Sequence, residues 1–318
     1  MKYVFFDIEC ACVYKNIAKI CVFGYVVTNE RFEVTEREDV LINPNGKFHL
    51  TDRKGNAGLV LPYNYADFKN YPDFRAVYPK IKTLLEDKDT LVFGHATVND
   101  VNYLRLETKR YRLPSFKFKF YDTQFFYMNC ENVFSRQIGL QAMAEELGVE
   151  YTPHRAVDDS YATMRVCEAL CKRENTDVEG LIARYGIAAG SLEKYNIVLQ
   201  TSARLSAYQT EREEVRAAHA KAHEQFYRFV NKYMNRRKKG GSLEGKTFCF
   251  AKEIEEDTEL SQRLAGAIFS SGGTYTSRPS ECNVYIARDE SGMRCERALS
   301  AGAAFIPLDK LQAALKEL

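Results

Sequence analysis

No stretch of this 318-residue chain approaches the roughly 18 consecutive apolar residues that a membrane-spanning helix requires. Nor does it hold paired cysteines: the nine, at 10, 12, 21, 130, 167, 171, 249, 282 and 295, are odd in number, scattered and never spaced C-x-x-C. That spacing argues against a disulfide framework or a structural zinc site, and for buried free thiols in reducing surroundings. Glycine and proline are few, at 18 and 8, against 45% hydrophobic and 28% charged residues, which excludes a collagen-like or broadly disordered chain. No internal repeat and no long low-complexity tract is present. The opening Met1-Lys2-Tyr3-Val4-Phe5-Phe6-Asp7 meets a carboxylate too early for a signal peptide. The expectation is a cytoplasmic protein without membrane contact, of two domains or one large domain with an attachment.

Positive charge is concentrated. The formal net charge of +2 conceals a segment, residues 204–239, with ten Lys or Arg against four Glu. It ends in Arg236, Arg237, Lys238 and Lys239, followed by Gly240-Gly241-Ser242, and the basic run with its glycine pair marks a boundary.

Short apolar runs and helical periodicities alternate along the first part of the chain. Residues 3–8 are aromatic-rich and read as a buried strand, and 20–27 with 31–35 read as a hairpin turning at 28–30. Apolar positions at 74, 77, 78, 81, 84 and 85 trace one helical face, followed by a strand at 90–94, a helix from about 98 to 111 and a strand at 117–121. Helices follow near 137–147 and 159–172. Strands first, then strand and helix in alternation, predict a mixed α/β sheet. Residues 178–239 read as helical throughout. A second α/β pattern follows: strand 246–250, helix 259–270, a turn at Gly272-Gly273, strand 283–287, helix 293–301, strand 304–306 and helix 308–318.

Three groups of polar residues interrupt the apolar pattern of the first part. Asp7 and Glu9, two apart in a strand, leave the same face, and two carboxylates there are costly unless a cation compensates them; the alternative is that the strand ends and both are solvated. Gly94-His95-Ala96-Thr97-Val98-Asn99-Asp100 enters a helix in which Asp100 shares a face with Tyr103 and Leu104, as a ligand or, with Asn99, as a cap. Thr152-Pro153-His154-Arg155-Ala156-Val157-Asp158-Asp159 is a loop entering another helix, and it supplies a histidine and acids a short distance apart, the kit of a general base beside a metal. Helical geometry alone leaves open which of Asp158 and Asp159 faces that site.

Taken in order, these groups resemble the DEDD exonuclease superfamily, in the histidine-containing branch that includes the proofreading epsilon subunit of bacterial DNA polymerase III. The D-x-E motif falls on Asp7 and Glu9, the middle H-x4-D on His95 to Asp100, and the final H-x4-D on His154 to Asp159. Asp122-Thr123 and the helical segment 140–147 are supporting features. Where the family commonly has a threonine after the glutamate, this chain has Cys10-Ala11-Cys12.

The resemblance covers residues 1–172 and implies a ribonuclease H-like fold. It also implies two magnesium or manganese ions held by Asp7, Glu9, Asp100 and Asp159, with Asp7 bridging them, Asp159 rather than Asp158 as the ligand, and His154 as general base. Histidine suits that role because it exchanges a proton near neutral pH. The implied reaction is release of nucleoside monophosphates one at a time from a 3' end.

Residues 243–318 resemble a BRCT domain in their strand and helix pattern and in Ala301-Gly302-Ala303-Ala304-Phe305-Ile306. The family's usual tryptophan in the last helix is absent, with Lys310 near its place, and the Ser/Thr-Gly of phosphate-binding versions reads Ala251-Lys252. The module is therefore expected to dock a protein partner or a DNA end. The basic segment reads either as a solvated connecting helix or as a strip that tracks phosphates, with Phe226, Tyr227, Phe229 and Tyr233 as stacking surface. His219 and His223 have the spacing of half a metal site.

The expected organisation is an exonuclease domain at 1–175, a helical basic linker at 176–242 and a BRCT-like domain at 243–318. The expected activity is metal-dependent 3'-to-5' hydrolysis of single-stranded DNA 3' ends in replication proofreading or repair. An exoribonuclease, or an adaptor that binds nucleic acid without turnover, are the alternatives.

Overall fold

β1 (Lys2–Tyr14) is apolar on both faces at its start: Val4, Phe6 and Ile8 enter one buried cluster, and Tyr3 and Phe5 enter another. A strand of that kind belongs in the middle of a sheet covered on both sides. The computed structural model, which describes residues 1–49, 60–150 and 154–314, places it there. The chain divides into two units, Met1–Gln209 and Thr210–Leu318.

In the first unit β1 pairs antiparallel with β2 (Ile17–Asn29), which pairs antiparallel with β3 (Val34–Leu41). α1 (Phe74–Leu85) leads into β4 (Thr90–Gly94), parallel to β1, and α2 (Val98–Arg110) leads into β5 (Phe118–Asp122), parallel to β4. α3 (Thr123–Glu131), α4 (Leu140–Glu146), α5 (Ala156–Arg173) and α6 (Val178–Tyr185) follow, and then β6 (Gly190–Glu193) and β7 (Asn196–Val198). The sheet order is β3-β2-β1-β4-β5-β6-β7. Phe74, Ile81, Val101 and Leu104 of α1 and α2 pack with Phe6 and Phe23, while Phe126, Met143, Val166 and Leu181 of α3 to α6 pack with Phe5 and Phe93. This is the mixed α/β sheet that the alternation predicts.

The structure corrects the turn, the helical segment and the helix count of the first unit. The hairpin turn lies later than 28–30, because the Asn29 side chain accepts the N–H groups of Arg31 and Glu33 and closes the turn beyond it. Phe32 there adopts a left-handed φ of 61° and its ring packs on Tyr3 and Phe5. Residues 178–239 are not helical throughout: Gly186 ends α6 in a left-handed conformation, and 190–198 form the β6–β7 hairpin at the sheet edge. In that hairpin Leu192 is fully buried, a single apolar anchor too short to give a periodic signal. α3 is also unforeseen, its signal hidden because Asp122 caps it immediately after β5.

α7 (Ala203–Tyr233) begins in the first unit and ends in the second. In the second unit β8 (Thr247–Phe250), α8 (Lys252–Glu256), α9 (Thr258–Ser270), β9 (Thr274–Tyr275), β10 (Val284–Ala287), α10 (Met293–Ser300), β11 (Ala304–Pro307) and α11 (Leu308–Ala314) form a parallel sheet of order β11-β10-β8-β9 with its helices. The last residues of the helix expected at 308–318 lie outside the described residues. Phe226 is fully buried against Phe250 and Tyr275, and Val230 joins the same core. Phe226 is thus core and not stacking surface, a consequence of β8 and β9 offering an apolar face beside it. His219 and His223 are exposed: His219 Nδ1 lies 3.3 Å from Glu256, and His223 stacks on Tyr227. All nine cysteines are free. Among the described residues no helix is long and apolar enough to cross a membrane.

Candidate active site

β1 pairs with β4 only over Lys2–Phe5, so Asp7 and Glu9 lie beyond the carboxyl end of that pairing, over the opening between the two strands. Crevices at the carboxyl ends of parallel strands are where open α/β sheets hold ligands. Asp7 and Glu9 are partly buried and Asp159, from the first turn of α5, is buried. One carboxylate oxygen from each of the three lies within 4.8 Å of the others. Asp100 is 5% exposed in the first turn of α2, where the expected capping role is absent: Thr97 is the residue before the helix, and it caps with no side-chain bond.

The electrostatics follow from this crowding. Burial, then Asp100, Asp159, Glu9 and Asp39, push Asp7 well above the usual carboxylate range. Burial, then Asp159 and Asp39, push Glu9 up to about 8. Burial and then Glu9 and Asp122 raise Asp100, with the backbone of Ile8 partly opposing them. Burial raises Asp159 to about 7, opposed by the backbone of His154. Among the described residues no Lys or Arg forms an ion pair with any of the four. Four crowded carboxylates without a cationic side chain make a donor set of hard oxygens, which fits a divalent cation of the magnesium or manganese kind.

A pH dependence of stability follows. Unfolded carboxylates ionise near pH ~4, whereas Glu9 and Asp159 in the folded chain ionise near 8 and 7. Between those values the folded state holds more protons than the unfolded one, so stability falls as pH rises. In EDTA the melting temperature is expected to drop from pH 5 to pH 8. Added Mn²⁺ is expected to raise it more at pH 8 than at pH 5, as scanning calorimetry will read. A melting temperature in EDTA that is flat or rises over this range contradicts the crowding.

His154 is exposed two residues before α5 with a left-handed φ of 73°, a conformation uncommon for a residue with a side chain and one that clusters at functional sites. Thr152 and Pro153 of its motif lie outside the described residues. Asp158 turns away from the acid group and pairs with Arg37 of β3.

A family model described as Exonuclease, RNase_T, matches residues 4–167, more than half of the sequence and all of the site just described. The chain belongs to that exonuclease family. Among solved structures, one described by 3'-end specific recognition of a histone mRNA stem-loop by a 3'-exonuclease is 16% identical, covering 64% of this chain and 91% of the other with a TM-score of 0.49. A structure of exonuclease I described as suggesting how processivity is achieved is 18% identical over 57% of this chain and 42% of that one, with a TM-score of 0.46. The zinc-bound form of the Escherichia coli exonuclease I complex with single-stranded DNA is also 18% identical, over 55% and 41%, with a TM-score of 0.46. The chain thus spans less than half the length of exonuclease I. No curated protein matches it closely enough to count as a relative.

Three residues shape the exonuclease-family site without being among those singled out as its ligands. Gly24 of β2 lies opposite both Asp7 of β1 and Asp39 of β3. A Cβ at Gly24 would stand 2.2 Å from the Ala156 carbonyl carbon and 2.3 Å from the Val157 nitrogen. The missing side chain is therefore what lets α5 start directly on the sheet and deliver Asp159 beside Asp7, and Ser160 Oγ fastens it by donating to the Gly24 carbonyl at 3.0 Å. Gly24→Ala is expected to destabilise by about 1–3 kcal/mol through overpacking and to weaken Mn²⁺ binding as Asp159 withdraws. Wild-type melting together with wild-type metal affinity would contradict this.

Asp122 is the second. It is buried and accepts N–H groups from Ala96 and Thr97 at 3.0 Å each and from Gln124 at 2.9 Å, and burial raises it to about 6 against those donors. It clamps the turn that carries Asp100, with Ala96 left-handed at φ 50°. His95, in the same turn, lies 3.5 Å from Thr123 Oγ1, and burial lowers it to about 4, so it is neutral near pH 7.

Asp39 is the third. Its Oδ1 accepts the Val157 N–H at 2.8 Å, and its Oδ2 accepts from Arg155 Nε at 3.1 Å and from the Tyr63 hydroxyl at 3.0 Å. No motif flags it, since the strand expected at 31–35 stops short of it and it lies in the charged part of β3.

Arg236, Arg237, Lys238 and Lys239 follow α7 in the second unit and are exposed; the Lys238 N–H donates to the Phe269 carbonyl at 3.0 Å.

Proposed function

We propose that this member of the exonuclease family is a DEDDh-type, divalent-metal-dependent 3'-to-5' exonuclease. It acts in the cytoplasm on single-stranded DNA ends, releasing nucleoside monophosphates in replication proofreading or repair. The observation that carries the reading is the meeting of Asp7 and Glu9 from β1 with Asp159 from α5, in a family whose model spans all three. Asp7, Glu9, Asp100 and Asp159 would hold two magnesium or manganese ions. When bound, such ions ease ionisation of the attacking water and neutralise charge on the departing 3' oxygen. His154, exposed at the start of α5, accepts the proton of that water as general base. Asp158, held by Arg37, stays outside the ligand set.

The exonuclease domain, expected at 1–175, takes in α6 and the β6–β7 hairpin of the same sheet as well; α7 is the connecting basic segment within the expected 176–242, and a BRCT-like module is assigned to 243–318, with the end of α7 completing its core. The parallel order β11-β10-β8-β9 supports the module's likeness. Docking of a protein partner or a DNA end is its proposed task, and the exposed Arg236, Arg237, Lys238 and Lys239 are its proposed phosphate contacts.

The test is degradation of 3'-end-labelled and 5'-end-labelled single-stranded DNA and RNA of matched sequence in magnesium, manganese or EDTA. Metal-dependent mononucleotide release from DNA 3' ends supports the proposal. Faster release from RNA moves the substrate to the exoribonuclease reading, and binding of either polymer without cleavage moves the chain to the adaptor class.

A further inference from the structure

α5 begins without a cap of its own. Arg155, the residue before it, makes no side-chain capping hydrogen bond, though its guanidinium lies 3.9 Å from the Asp158 carboxylate, and its carbonyl accepts the N–H groups of Asp158 at 2.7 Å and Asp159 at 2.9 Å. The first-turn N–H of Val157 is satisfied instead from β3, by Asp39 Oδ1 at 2.8 Å, while Asp39 Oδ2 holds the Arg155 side chain at 3.1 Å. An acceptor for an orphan N–H at a helix start is what a cap supplies. Here it arrives from a different strand, more than a hundred residues earlier in the chain.

The same strand holds the helix at a second point. Arg37 and Asp39 are two apart in β3 and so leave one face. Arg37 binds Asp158, and Asp39 binds Val157 and Arg155. Successive helical residues differ by about 100° in direction, so a slip of one residue at the start of α5 would turn Asp158 inward and Asp159 outward. β3 thus holds both ends of the choice.

We propose that Asp39 is a positioning residue of the active site: by capping α5 from β3 and fixing Arg155, it selects Asp159 over Asp158 as the acid that meets Asp7 and Glu9. The inference rests on the reading of that group as a divalent-metal nuclease site. Asp39 touches none of the reacting atoms; it acts through Arg155 and Val157. Its charge is used as well as its acceptor oxygens, since it holds a guanidinium.

The full-length protein is compared with Asp39→Ala, Asp39→Asn and Asp39→Glu in two assays: kcat and KM on a 3'-end-labelled oligonucleotide, and the Mn²⁺ dissociation constant from a titration without substrate. Residues that orient metal ligands typically contribute about 10- to 100-fold in metal affinity or activity. Asp39→Ala is expected to lose that much in kcat and to weaken Mn²⁺ binding by about 10-fold or more, with KM near wild type. Asp39→Asn keeps an acceptor for the Val157 N–H and is expected to recover part of both losses. Should Asp39→Ala not fold, Asp39→Glu, whose carboxylate is displaced by one methylene, is expected to show the same split. A variant set that lowers only the melting temperature, leaving kcat, KM and Mn²⁺ affinity at wild-type values, overturns the proposal. If the wild type cleaves nothing, the nuclease reading fails and the Mn²⁺ titration decides alone: weaker binding in Asp39→Ala supports the positioning role, and equal binding overturns it. A wild type that binds no Mn²⁺ overturns both.

Discussion

Asp7→Ala is expected to lose hydrolysis by on the order of a thousandfold or more, since metal-ion charge stabilisation is worth several kcal/mol and each 1.36 kcal/mol is tenfold in rate. It is also expected to fold. Burial, and then Asp100, Asp159, Glu9 and Asp39 around it, push the Asp7 carboxyl well up, so removing it relieves both a buried charge and repulsion that a metal-free chain must otherwise bear. Calorimetry in EDTA at pH 8 should give a melting temperature at or above that of the wild type, and metal should raise it less. A variant that cleaves at the wild-type rate would place the chemistry elsewhere. One that fails to fold would mean that Asp7 is held by contacts the crowded acids do not account for.

His154→Asn is the second large effect. Asparagine tolerates the left-handed backbone that His154 adopts at φ 73°, so the substitution removes the imidazole without adding strain. General-base catalysis is typically worth about 10²–10⁴-fold, and kcat is expected to fall within that range while KM and Mn²⁺ affinity stay near wild type. Partial restoration of kcat by free imidazole would identify the missing group. A fall in Mn²⁺ affinity as large as the fall in kcat would instead make His154 a ligand.

Much of this acid cluster was legible because its members sit at fixed offsets within single elements. Asp7 and Glu9 share a face by the two-residue period of β1, and Asp100 shares one with Leu104 in α2. Which of Asp158 and Asp159 meets Asp7 and Glu9 was not legible locally: Asp158 pairs with Arg37 on β3, and no helical pattern records a contact with a distant strand. Gly24 was invisible for a related reason: one glycine in an apolar strand gives no hint that a helix backbone rests on it. Three of the second unit's four strands, β8, β10 and β11, were readable from short apolar runs, whereas the two-residue β9 and the short helix α8 were not. The edge hairpin at 190–198 was missed because β6 and β7 hold no buried apolar run like those of β8 and β10: Leu192 is their one fully buried apolar side chain.

α7 has one further consequence, for how such a protein can be divided or recombined. The glycine pair at 240–241 looks like the natural seam, yet Phe226 and Val230, upstream of it, are core residues of the β8–β11 sheet. A fragment beginning at residue 243 would leave Phe250 and Tyr275 facing water where the Phe226 ring had been, and would be prone to aggregate. A cut near residue 210 keeps those partners together. Exchange of this module between proteins would therefore succeed when the crossover falls inside a continuous helix, and the most glycine-rich stretch would be the wrong place to break the gene.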